Sequence, residues 1–146
     1  RFHFMVENLG ANKEFSFTVY RKVPAFFGGT WSSTWGYKVT LGENKISIRF
    51  VLTKFDIPFS DILEVVYGTY AFLPGNFIAF KVRKKGKTEA HIFAGPIVSI
   101  FGGKTDVESI QEIISTLKGK LKIRKIEGEV SPLDAEKAIL GNSANY

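Results

Sequence analysis

Short apolar segments alternate with turn-forming residues along most of this chain, and this spacing is the strongest constraint on its fold. The segments cover residues 2–6, 15–20, 37–41, 45–52, 62–67, 77–83, 89–94 and 97–101. In residues 45–52, Ile46, Ile48 and Phe50 alternate with polar side chains, as in a strand with one buried face. The aromatic content, with 14 Phe among 146 residues, also favours strands. The pattern predicts a mainly β, antiparallel protein of about seven strands.

The periodicity changes near residue 105. Apolar residues at 107, 110, 113, 114 and 117 fall on one face of a helix, and Thr105 with Glu108 forms a capping box. A second helix is predicted at 132–140, with Pro132 at its first position and Gly141 just past its end. We therefore expect one domain over residues 1–127, a small barrel capped by helix 105–118, followed by a short helical C-terminal extension over residues 128–146.

Residues 26–36 contain glycines and four large aromatic residues, which predicts a glycine-rich bend. Two interpretations are open for Trp31 and Trp35 in this segment. The rings either fold over the open end of the barrel or lie at a membrane interface.

The segment Phe55-Asp-Ile-Pro-Phe-Ser-Asp-Ile62, set between predicted strands, resembles a step found in bacterial PH-like and GRAM-like domains (pleckstrin-homology-like barrels). Pro58, Phe59, Asp61 and Ile62 match that step, and the resemblance extends over about residues 37–118. It implies a PH-like antiparallel barrel and a binding or scaffolding module that is not an enzyme. The ligands of such domains vary, so the fold alone does not name one.

Half of the positive charge lies in two short stretches that contain no acidic residue. The net charge is +6 and the chain has 20 basic residues; five lie in residues 81–87 and five in 118–125, leaving ten against 14 acidic residues elsewhere. The candidate anion-binding or headgroup-binding residues are Lys81, Arg83, Lys84, Lys85, Lys87, Lys118, Lys120, Lys122, Arg124 and Lys125. If residues 118–125 are extended, Lys118, Lys120, Lys122 and Arg124 share one face.

Two functions remain open for these stretches. They bind an anionic lipid surface or an acidic protein, or the chain is a protein-binding or self-association module that uses an open strand edge near residues 120–125. A solvated turn and an ordinary edge strand are the structural alternatives. Nucleic acid is disfavoured because no recognised motif accompanies the charge. No apolar run is long enough to span a membrane. We expect a cytoplasmic protein, with membrane association as one of the functions left open.

Catalysis has little support in the sequence. The absence of cysteine excludes thiolate chemistry and Cys-based metal sites, and His3 and His91 lack any metal-binding spacing. Gly102-Gly-Lys-Thr105 resembles the end of a phosphate-binding loop, but Val98 stands where that motif requires glycine. We therefore predict no catalytic residue, no metal and no cofactor.

Overall fold

The structure is a computed structural model that describes residues 13–24, 31–71, 75–95 and 106–140. The strands predicted at 2–6 and 97–101 lie outside these ranges, as do the predicted caps at Thr105 and Gly141 and residues 26–30 of the predicted glycine-rich bend.

Within the described ranges the chain forms eight strands and two α-helices. The strands are β1 (Lys13–Pro24), β2 (Trp31–Leu41), β3 (Lys45–Phe50), β4 (Thr53–Pro58), β5 (Ile62–Tyr70), β6 (Gly75–Lys84), β7 (Lys87–Ala94) and β8 (Ile123–Val130). The helices are α1 (Asp106–Leu117) and α2 (Pro132–Leu140), and a short 3-10 helix covers Phe59–Asp61. The helix predicted at 132–140 is confirmed, and the described part of the helix predicted at 105–118 covers residues 106–117.

The eight strands make one sheet in the order β4-β3-β2-β1-β7-β6-β5-β8. The mainly β, largely antiparallel prediction is confirmed, although β8 pairs parallel with β5. The predicted barrel of about seven strands is not closed by hydrogen bonds, because the eight described strands form an open sheet with β4 and β8 at its edges. Pro58, which lacks an N–H group, ends β4, and the chain turns through the 3-10 helix before β5 begins.

The middle of the sheet joins segments far apart in the sequence. β1 pairs with β7 over six residue pairs, from Val19 opposite Ala94 to Pro24 opposite Glu89. The other antiparallel pairs of the sheet are local hairpins, such as β3–β4 and β6–β7.

The sheet has an apolar core on each face. One core contains Phe17, Ile48, Phe80 and Phe93 and is covered by Ile110 and Ile113 of α1. The other contains Val66, Phe77 and Ile92 and is covered by Ala135, Ile139 and Leu140 of α2. The residues after 123 thus complete the sheet and cover its second face, and β8 crosses the predicted boundary between residues 127 and 128.

Two local predictions are wrong. Trp31–Gly36 belong to β2 rather than to a bend. The run at 45–52, predicted as one strand, ends at Phe50, and Val51 and Leu52 form the turn into β4. Both residues of that turn are apolar, so the turn had no signal in the sequence.

Candidate anion-binding site

The first basic stretch forms the tip of a hairpin. β6 ends at Lys84 and β7 begins at Lys87, so Lys85 and Gly86 make a two-residue turn. Both have positive φ values, 55° for Lys85 and 80° for Gly86, which is the signature of a type I′ turn. Lys84, Lys85 and Lys87 are exposed, and these three residues are called the basic tip below.

The second basic stretch does not form the face predicted for it. The Lys118 N–H bonds to Ile114 O and the Lys120 N–H to Leu117 O, so both residues belong to the turn that ends α1. Gly119 has a φ of 89°, the left-handed conformation that commonly ends a helix. β8 begins only at Ile123. Lys118 and Lys120 are exposed in the turn and do not share a strand face with Lys122 and Arg124.

The two stretches meet at Glu64 of β5. Glu64 is 7% exposed and lies directly opposite Lys81 of β6. On its other side, Arg124 donates from Nε and from a terminal nitrogen to the two carboxylate oxygens, at 3.0 and 3.2 Å. The Lys122 ammonium lies 4.0 Å from the same carboxylate. Burial alone would raise the pKa of Glu64, but Arg124, Lys122 and Lys81 together hold this pKa below its usual value.

Arg124 has a structural task. Besides binding Glu64, its guanidinium donates to the Ala138 carbonyl at 2.8 Å, which ties β8 and β5 to the last turn of α2. A second ion pair holds the same helix, with Arg21 of β1 2.7 Å from Glu136. Of the basic residues around Glu64, Lys122 is the more available to a ligand, since its side chain is 76% exposed against 40% for Arg124.

The sheet therefore gathers part of the predicted set onto one face. Side chains alternate along a strand, so Lys81 and Arg83 lie on the same face of β6, and Lys122 adjoins them across Glu64. We call Lys81, Arg83 and Lys122 the basic patch. Lys84 points to the opposite face, and Lys125 is exposed on β8 one residue beyond Arg124.

The position of His91 in a strand predicts a surface or half-buried side chain, and the structure buries it instead. His91 is 4% exposed, and its Nδ1 lies 2.6 Å from the Tyr20 hydroxyl. Its Nε2 lies 3.5 Å from a Glu89 carboxylate oxygen. Burial is the main cause that lowers the pKa of His91 to about 4, so the imidazole is neutral at physiological pH. Its alternation with buried Phe93 along β7 was the available signal.

The remaining surface of the described residues lacks the side-chain clusters that a metal site requires. Among residues 13–24, 31–71, 75–95 and 106–140, no group of three or more His, Asp or Glu side chains could hold a metal ion. A half-open cavity of about 340 Å³ lies near the end of β5, with Thr69, Asn76, Val107 and Glu129 among its lining residues. No helix of the described chain is both long and apolar enough to cross a bilayer.

Comparisons with known proteins place the chain in no family. No family model matches the sequence, and no curated protein matches it. Among solved structures, the chain is similar to the hSac2 domain from human phosphoinositide phosphatase Sac2. The two are 8% identical, the alignment covers 90% of each chain, and the TM-score is 0.44. Similarity at this level carries no argument about function.

Proposed function

We propose that this chain is a non-catalytic PH-like module that binds an anionic membrane surface at the cytoplasmic side through its basic tip and basic patch. The observation that carries the proposal is the convergence of Lys81 and Lys122, from two distant stretches, on the same carboxylate. An acidic protein surface would offer the same charge and is the alternative partner.

The charge balance around Glu64 favours an anion. Lys81, Lys122 and Arg124 surround one carboxylate, so three positive charges face one negative charge. The ion pair with Arg124 neutralises Glu64 and leaves the two lysines in excess. Each basic residue near an anionic bilayer contributes about 1 kcal/mol, so the patch and the tip together are sufficient for salt-sensitive binding.

Co-sedimentation with vesicles tests the proposal. The protein is mixed with neutral vesicles and with vesicles containing phosphatidylserine, at low and at near-physiological salt. We expect binding only to the anionic vesicles and weaker binding as salt rises. The double variant Lys84→Glu, Lys85→Glu should lose most of this binding.

The matched control is Lys45→Glu, Lys137→Glu, which changes the net charge equally at exposed lysines on β3 and α2. The control should lose less affinity than the tip variant. Equal losses would reduce the interaction to net charge alone, and absence of anionic-vesicle binding at low salt would refute the proposal.

Self-association is a second candidate, favoured by the position of β8 at the edge of the sheet. The Val65 N–H bonds to Lys122 O, so the peptide groups of Lys122 and Arg124 turn toward β5 and that of Lys125 turns outward. Lys125→Pro removes one outward N–H group from this edge. If β8 joins two copies, the variant should shift the mass measured by light scattering toward the monomer; an unchanged mass argues against pairing through β8.

A further inference from the structure

The turn between β3 and β4 exposes two apolar side chains. Phe50 pairs with Thr53, so Val51 and Leu52 alone make the turn. Val51 is 72% exposed and Leu52 is 96% exposed. We call these two residues the apolar tip. Below them, Phe50 stacks on Tyr37 with ring centroids 4.5 Å apart, which anchors the hairpin while the tip projects from it.

The backbone of the apolar tip is strained. Val51 has a φ of 53°, in the left-handed region that β-branched residues rarely adopt. Glycine, asparagine or aspartate would fit this turn position with less strain. The valine side chain also packs little against the rest of the protein, since most of it is exposed to solvent. A residue that is both strained and exposed suggests that its side chain acts on something outside the fold.

The apolar tip and the basic tip lie at the same end of the sheet. The steps β4-β3, β3-β2, β2-β1 and β1-β7 are all antiparallel, so β4 and β7 run in the same direction. The sheet curls enough to bring Phe55 of β4 within 5.8 Å of His91 of β7, measured between ring centroids. The apolar tip immediately precedes β4, and the basic tip spans the turn that leads into β7.

Cations flank the apolar tip. Arg49 and Lys54 lie opposite each other, two residues from Val51 and Leu52 respectively. Lys54 is exposed, and Arg49 also contacts Glu14 at 3.3 Å. Apolar side chains with cations just behind them match the layers of an anionic bilayer, where phosphates lie above the acyl chains. An acidic protein surface would attract the cations but offers no equivalent layer for Leu52.

We propose that the apolar tip, Val51 and Leu52, enters the boundary between headgroups and acyl chains of an anionic bilayer while the basic tip contacts lipid phosphates. This inference rests on the proposed membrane binding and adds a part of the surface that the charge pattern did not indicate. The apolar tip supplies binding energy that salt does not screen, and the basic tip supplies the preference for anionic lipid.

A fluorescent label at the tip gives the first test. The chain has no cysteine, so Leu52→Cys can be labelled at one position with an environment-sensitive nitrobenzoxadiazole probe. Leu133→Cys is the matched control, because Leu133 is also an exposed leucine, 58% accessible. It lies just after β8, where β5 and β8 end together, away from the two tips. With phosphatidylserine vesicles, emission at position 52 should shift to the blue and increase, while emission at position 133 should stay unchanged. Bound protein with no shift at position 52 would overturn the inference.

Two unlabelled variants separate tip insertion from charge. Leu52→Ser should weaken anionic-vesicle binding by about tenfold or more, since burying a leucine side chain is worth at least that factor. Val51→Gly should also bind more weakly, yet melt at a higher temperature because it relieves the strained φ. If Leu52→Ser binds as well as the unaltered protein, the inference is wrong but the proposed function stands. If the unaltered protein does not bind, both the inference and the proposed function are wrong. If free Leu52→Ser protein differs in mass from the unaltered protein, the apolar tip belongs to a protein interface and the inference is wrong.

Discussion

Replacing Glu64 with glutamine is expected to destabilise the fold at neutral pH. The substitution keeps the shape of the side chain but removes the charge that receives two hydrogen bonds from Arg124. Hydrogen bonds to charged groups contribute about 1.5–3 kcal/mol each, and the exposure of Arg124 places this pair at the low end. We expect a loss of about 1.5 kcal/mol, or about 3–6 °C in the melting temperature.

The pH dependence makes this prediction specific. The pKa of Glu64 lies below its unfolded value, so the carboxylate stabilises the folded state above the unfolded pKa of about 4.3. That contribution is lost as pH falls through the lower, folded pKa. The difference in melting temperature between the unaltered protein and Glu64→Gln should therefore be full at pH 7 and decrease steadily below about pH 4.3.

Thermal unfolding followed by circular dichroism, from pH 7 to pH 3, measures this difference. Glu127→Gln is the matched control, because Glu127 is an exposed glutamate on β8 and its loss should leave the melting temperature nearly unchanged. Equal melting temperatures for Glu64→Gln and the unaltered protein at pH 7 would refute the reasoning, and so would a difference that does not decrease in acid.

The same variant should bind anionic vesicles more tightly. Removing one negative charge between Lys81 and Lys122 is equivalent to gaining one positive charge near the bilayer, worth about 1 kcal/mol or about fivefold in affinity. A protein that is less stable but binds better would separate the structural role of Glu64 from the binding surface. Unchanged or weaker binding by folded Glu64→Gln protein would place the lipid surface elsewhere.

Two further predictions concern the cores on either side of the sheet. In Gly68→Ala, the added Cβ atom would lie 3.0 Å from the Phe77 ring and 3.1 Å from the Ile126 carbonyl oxygen. We expect this crowding to lower the free energy of unfolding by about 1–3 kcal/mol, measured by chemical denaturation. An unchanged denaturation midpoint would mean that both neighbours move freely. The folded pKa of His91 is lowered from 6.5 to about 4, so between these pH values the unfolded state binds a proton that the folded state does not, and the unaltered protein loses about 3 kcal/mol of stability as pH falls. His91→Gln should therefore flatten this fall in stability between pH 6.5 and 4. Equal slopes for both proteins would contradict the burial of a neutral imidazole.

The sequence predicted elements with periodic side chains better than it predicted how they pair. The apolar face of α1 located that helix, and the proline at the start of α2 located the first residue of α2. The Lys85-Gly86 turn followed from a glycine between two apolar segments. The parallel pairing of β8 with β5 had no local signal, because the paired residues, such as Val65 and Ile123, lie far apart in the sequence.

The candidate site shows the same division. The exposure of Lys84, Lys85 and Lys87 could be predicted from a run of charges at a turn. That Arg124 binds Glu64 could not, because these residues are 60 positions apart and meet only through sheet pairing. The apolar tip was also missed, since Val51 and Leu52 read as the continuation of a strand.

The pairing of β1 with β7 has a consequence for the order in which the protein folds. The paired residues are separated by 65 positions at Pro24 and Glu89 and by 75 at Val19 and Ala94. The hairpins β3–β4 and β6–β7 can close early, whereas this seam needs a long loop to be closed first. We therefore expect a folding rate limited by the search for distant strand pairs, of which this seam spans the longest loop. The side chains along the seam, such as Tyr20 and His91, should control how fast the two halves of the sheet join.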